Sequence, residues 1–423
     1  MEKLRILFRP QTGIVLNVLC KQKTSRFRIP KSKMSSVSNP PQSLLKPMVI
    51  PQKLLMGPGP SNSSPRILSA SALPMLGHLH PEFTKIMDEV KEGTRYLFQT
   101  RNNWTVCVSG TGHAAMEAAV CNLLEPGETT LSCVNGLWGE RYADMARRNG
   151  AIAETINKPM GQVFNLQEIE EGLQKYRPVL LFLTHGESSG STVQPLEGVG
   201  KLCHRYNCLL LVDSVAAAGG VPLYADDWEI DCIYTGSQKV LSAPPGASPI
   251  SFSEKGKEKV LKRKTPVRSF YFDMNHLSNY WGCEENPRRY HHTGPIMSVY
   301  ALREGFSRLV EDGLENSWAT HKKCAEMLHQ GVERMGLELF VQDKSVRLPC
   351  VTGVKVPAGV NWKEVADYAM NQYKVEISGG LGAQAGKIWR IGIMGYNATP
   401  DNVNRVLRAL SEALKNVGFK SRL

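Results

Sequence analysis

The sequence predicts an α/β protein: a mostly parallel sheet between helices, with a smaller C-terminal α/β domain after it. From Trp104 onward, apolar runs alternate with helical stretches, the βαβα spacing of a parallel sheet. The apolar runs are near-continuous rather than alternating, as in strands buried on both faces. No run of eighteen uncharged apolar residues occurs, so these runs read as buried strands and a membrane-spanning protein is excluded.

The elements follow in order. Residues 1–33 hold nine Lys/Arg and one acid, with Arg5, Arg9, Arg26 and Arg28 set among Leu4, Ile6, Leu7 and Phe8, the composition of a mitochondrial targeting leader. Taking that leader from the 51 basic and 39 acidic residues leaves 42 and 38. The body therefore carries only +4, which gives no electrostatic case for binding nucleic acid. Residues 34–51 are rich in Ser, Pro and Gln and form an N-terminal arm, with ordered structure expected from about Leu54. A large domain over 52–312 then contains apolar runs at 104–108, 129–134, 178–184, 208–213 and 231–235. Helical stretches at 114–124, 139–149 and 202–206 lie between them. The basic stretch from Lys255 to Arg268 reads as a solvated helix face. In the small domain, 313–423, a helical reading that starts after Pro295 continues to about Leu339, interrupted near Gly313 and Gly336, and short strands precede a closing helix from Pro400 to Leu414. The chain ends in Ser421-Arg422-Leu423, a conservative variant of the peroxisomal Ser-Lys-Leu tripeptide. Translation from Met34 would delete the leader and leave the tail in charge, so import receptors of either organelle are expected partners. Ten cysteines are scattered without CxxC or Cys/His ligand spacing, which reads as buried reduced thiols, not a disulfide framework or zinc site.

The chemistry centres on a pair. Asp213 ends the apolar strand CLLLVD, and Lys239 follows the strand DCIYTGSQK. Ligands of open α/β sheets bind beyond the carboxyl ends of strands, so an acid and an amine emerge on one rim. Pyridoxal phosphate needs that pair: a lysine to form an imine with its aldehyde and a buried aspartate to keep its ring nitrogen protonated. Taken alone, the two residues read as an ordinary strand-end acid and a surface lysine, and it is their context that reverses this. The third element is Ser109-Gly110-Thr111-Gly112-His113, between a strand and the helix AAMEAAVCNLL, where free N–H groups, including those of Gly112 and His113, can bind a phosphate. Neither GxGxxG nor GxxxxGK[ST] is present, which removes the dinucleotide and P-loop readings.

The run from Asp231 to Lys239, with Gly246 beyond it, resembles the lysine signature of the class V aminotransferases. The similarity extends from LLMGPGPS at 54–61 through THGESS at 184–189 and APPG at 243–246 to Arg390-Ile391-Gly392, covering roughly residues 50–418. It implies the fold-type I architecture of pyridoxal-phosphate-dependent transferases and a homodimer with shared active sites. It also implies that Lys239 is the imine lysine and Asp213 the partner of the ring nitrogen. Trp138 stacks on the ring in this reading, since an indole offers a broad polarizable face. Ser188 hydrogen-bonds near a cofactor or substrate oxygen, and Gln238 donates its amide to the phosphate. Tyr290 and Thr293 resemble the pair that reaches the phosphate of the neighbouring subunit. Arg390 holds the substrate carboxylate bidentately, and Gly59 walls the pocket through its backbone. His291 and His292 do not make a metal site, because adjacent residues rarely converge as ligands and no carboxylate spacing completes a set. The implied reaction moves the amino group of L-alanine or L-serine to glyoxylate, giving pyruvate or hydroxypyruvate and glycine. Alternatives are a 3-hydroxykynurenine or other class V aminotransferase, a cysteine desulfurase, for which no mobile-loop cysteine is matched, and a non-catalytic dimeric scaffold.

Overall fold

The structure is a computed structural model and describes residues 38–419. The leader, Met34 and the C-terminal tripeptide lie outside the described residues. Among the described residues, those up to Pro51 form one unit and those from Gln52 onward another. From residue 38 to Pro51 the first unit is exposed throughout and contains one 3-10 turn, Gln42–Leu45.

The second unit opens with α1 (Pro65–Ala70) and α2 (Pro81–Phe98). Each begins with proline, whose fixed φ suits the first helical position and whose missing N–H is not needed there. The expected alternation follows, with β3 and α5 in addition to the elements read from the sequence: β1 (Trp104–Gly110), α3 (Gly112–Leu123), β2 (Thr129–Val134), α4 (Leu137–Arg148), β3 (Ile152–Asn157), α5 (Leu166–Tyr176) and β4 (Leu180–Thr184). A small hairpin of β5 (Gly186–Glu187) and β6 (Thr192–Val193) leads to α6 (Val199–Arg205), β7 (Leu209–Asp213), β8 (Cys232–Tyr234) and β9 (Gly246–Phe252). The seven long strands lie in the order β1-β9-β8-β7-β4-β2-β3. Neighbours from β8 to β3 run parallel, and only β9 is reversed, pairing antiparallel with both β1 and β8. All five residues of β4 are buried, as the continuous apolar run requires. On one face Tyr142 of α4 lies flat on Phe182 of β4, with ring centroids 4.1 Å apart.

The helices α7 (Glu254–Leu261), α8 (Met274–Tyr280), α9 (Ile296–Asp312) and α10 (Leu314–Arg334) come next. Gly313, at φ +78, separates the last two. The helical reading to Leu339 stops short at Arg334, because Gly336 adopts φ +80, a left-handed conformation that ends helices. Beyond it, β10 (Val351–Lys355), α11 (Trp362–Tyr368), β11 (Ser378–Gly379), β12 (Ile388–Gly392) and α12 (Pro400–Asn416) form the second layer. The antiparallel order is β10-β12-β11. This sheet has its own core, in which Leu328, Val365, Trp389, Val406 and Leu410 are buried.

Two features position the site. Thr184, Asp213 and Tyr234 stand side by side in register at the carboxyl ends of β4, β7 and β8. A strap from Leu54 to Asn62 ties that rim to the second sheet. At one end Leu54 bridges Val375 and the amide of Gly392 donates to Met56 at 2.8 Å. At the other, the amide of Ser61 donates to the carbonyl of Gln238 at 2.9 Å and its hydroxyl to that of Lys239 at 2.8 Å.

The nine described cysteines are buried and none is in a disulfide. Cys350 occupies the turn just before β10. Among the described residues, no helix is long and apolar enough to cross a membrane.

Candidate active site

Lys239 and Asp213 line one cavity of about 120 Å³ at the strand-end rim, with Gly112, His113, Trp138, Ser188 and Gln238. Asp213 is buried, and its carboxylate accepts hydrogen bonds from the amide of Val215 and the hydroxyl of Tyr234, each at 2.9 Å. Burial pushes its pKa up to about 6 despite those two donors and the nearby Lys239. Lys239 donates from Nζ to the carbonyl of Pro58 in the strap. Burial lowers its pKa to about 8, opposed by the attraction of Asp213 and assisted by the charge of Arg390.

At the other end of the cavity α3 begins at Gly112. Its first amides have no carbonyl within the helix to bond, and Thr111 supplies no side-chain cap. The side-chain oxygen of Gln238 is buried there without a partner. His113 pairs with Arg141 at 2.9 Å and meets the Trp138 ring edge-on, with centroids 5.4 Å apart. The indole of Trp138 donates to the hydroxyl of Ser188 at 3.0 Å.

Arg390 arrives from β12 and is buried. Its Nε donates to the carbonyl of Gly379 at 2.9 Å and Nη1 to that of Ser188 at 3.2 Å. These bonds fix the plane of a group that has five N–H donors, leaving Nη2 for a ligand. Gly59 lies against the Lys239 side chain so closely that a Cβ there would displace the amine. Tyr290 and Thr293 are not brought to this cavity. Both are exposed, Tyr290 beside the ring of His78 with centroids 5.1 Å apart.

The family model "Aminotransferase class-V" matches residues 67–406 of this chain. The chain belongs to the class V aminotransferases. An alanine–glyoxylate aminotransferase of Callithrix jacchus is 55% identical over 377 residues, 89% of this chain and 91% of that protein. One from Felis catus is 54% identical over 376 residues, again 89% and 91%. The crystal structure of an alanine–glyoxylate aminotransferase from Nostoc sp. superposes with a TM-score of 0.87 at 46% identity, covering 90% of this chain and all of that one.

Class V aminotransferases use pyridoxal phosphate, and the donor set of this cavity fits it. An amine and a buried acid with spare lone pairs line one cavity, together with helix-start amides and the side chain of Gln238, whose NH2 group can donate. Lys239 and Asp213 are suited to the aldehyde and the ring nitrogen, and Gly112, His113 and Gln238 to the phosphate. Two contributors were not singled out from the sequence. Tyr234 lies within the lysine signature, yet its hydrogen bond to Asp213 follows from the parallel register of β7 on β8. Glu187, beside Ser188, is fully buried. A carboxylate in an apolar-flanked THGESS run was its only signal.

Proposed function

We propose that this chain is the class V aminotransferase that moves the amino group of L-alanine, or of L-serine, to glyoxylate. The observation that carries it is the convergence of Lys239, Asp213 and Arg390 from two different sheets, together with identity above 50% to alanine–glyoxylate aminotransferases. Bound pyridoxal phosphate supplies an electrophilic aldehyde and an electron-withdrawing ring. Asp213 holds a proton at the ring nitrogen, since a carboxylate in a buried site strongly favours a cationic partner. Arg390 clamps the α-carboxylate of the amino acid and orients its Cα–H toward the lysine. Lys239 takes that proton on Nζ. With a pKa near 8 its neutral fraction at pH 7 is on the order of a hundred-fold greater than that of an ordinary lysine. Trp138 and the strap at Gly59 narrow the cavity and exclude water. The second half-reaction runs the same proton transfers in reverse on glyoxylate.

Two further readings belong to the same proposal. Tyr290 and Thr293 serve the phosphate site of a second copy, which their exposure and their absence from this chain's own cavity support. The leader and the Ser421-Arg422-Leu423 tail direct the protein to mitochondria or peroxisomes according to the start used.

The test is spectroscopic. The purified protein should be yellow, lose the colour with L-alanine and regain it with glyoxylate. Retention of colour with alanine and serine, with bleaching by 3-hydroxykynurenine instead, would replace the substrate assignment with that runner-up.

A further inference from the structure

One fully buried carboxyl beside the rim takes no part in the chemistry above. Glu187 stands on β5, and its Oε1 accepts the amide of Ser189 at 2.8 Å and the Ser189 hydroxyl at 2.6 Å. Its Oε2 accepts the amide of Trp138 at 3.3 Å. The Ser189 hydroxyl oxygen in turn accepts the amide of Leu137 at 3.0 Å. Helix α4 begins at Leu137 after Gly136, which offers no side-chain cap. The first two amides of α4 are therefore satisfied by the β5–β6 hairpin rather than by the helix's own N-cap. Gly136 is tied to the same contact, because a Cβ there would run into the Glu187 side chain.

What this carboxyl holds matters for the site. Trp138 continues from its backbone amide to an indole that donates to Ser188 at 3.0 Å, and the carbonyl of Ser188 accepts from Arg390 at 3.2 Å. We propose that Glu187 is a positioning residue: it clamps the start of α4 to the hairpin, fixing Trp138 against the cofactor ring and, through Ser188, setting Arg390 for the substrate carboxylate. The proposal rests on the roles given to Trp138 and Arg390 above.

Glu187→Gln tests it, because the amide keeps an acceptor for Ser189 but turns an N–H toward the Trp138 amide. Equilibrium dialysis of the full-length cofactor-free protein should show pyridoxal 5′-phosphate bound about tenfold more weakly. The KM for the amino donor should rise by a similar factor while kcat changes less. Added to Trp138→Ala, which has no ring to position, the same substitution should change cofactor affinity less than about twofold. Ser189→Ala, which removes one donor to the carboxyl and the acceptor for the Leu137 amide, should shift affinity in the same direction. Cofactor affinity and KM equal to the parent's in Glu187→Gln, or a loss of equal size in both backgrounds, would overturn the proposal. Cofactor binding does not depend on which amino donor is used, so failure of the alanine–glyoxylate reading leaves this result standing.

Discussion

Lys239 has to be an amine with a free lone pair in a place where an ordinary lysine would be charged, and burial shifts it toward that form. Lys239→Ala should lower turnover by at least about 10²-fold and up to 10⁴-fold while still holding cofactor noncovalently. Turnover near the parent's would remove Lys239 from the mechanism. Tyr234→Phe removes one of two donors to the Asp213 carboxylate. The aspartate pKa should then rise further above 6, and kcat should fall about tenfold, with the acid limb of the pH–rate profile moved upward. An unchanged profile would show that Tyr234 only packs. At this scale the Asp213–Lys239 pair was legible in the sequence, because both residues end apolar runs whose strand ends must share a rim. Tyr234 and Glu187 were not, since their roles depend on which strand or helix end lies beside them, and sequence spacing does not carry that information.

Among the elements, β1, β2, β4, β7 and β8 could be read because buried strands are continuous apolar runs, whereas β3, a partly exposed strand at the sheet edge, and α5 after it were not. β9 was not read: its residues Gly246–Phe252 include Pro249 and three small polar or glycine positions, weak strand signals by composition. The two-residue strands β5 and β6 are too short to leave any pattern at all, yet they carry Glu187. Burial raises the pKa of Glu187 to about 7, further helped by Asp213. The folded state thus keeps a proton that the unfolded chain releases near 4.5, so this group makes the protein less stable as pH rises from about 4.5 to 7. Glu187→Gln cannot lose that proton. Relative to the parent, the cofactor-free variant should gain stability on the order of 2 kcal/mol between pH 5 and pH 8 in chemical denaturation. A difference flat with pH would show that the carboxyl is not held protonated. Asn165, which does not line the cavity, caps α5 in a reciprocal capping box with Glu168. Asn165→Ala should cost about 1 kcal/mol of stability and leave the kinetics alone.

For the molecule as a whole, the proposal that two copies share their active sites makes a distinct forecast. Lys239→Ala and Tyr290→Ala subunits, each inactive alone, should regain about a quarter of parental activity when unfolded together and refolded as mixed dimers, because one site in each mixed dimer is intact. No recovery would mean that Tyr290 serves its own chain or none. The strap sets a requirement of another kind. Its residues 54–62 leave the ribosome early, yet they bond to the Lys239 turn, 178 positions on, and through Leu55 to Asn397, 342 positions on. A nascent polypeptide still short of Lys374 can fasten that segment only at its Ser61 end, and one short of Asn397 still lacks the last bond, so the strap is not closed at both ends until translation is nearly finished, and cofactor capture is an event of the completed chain.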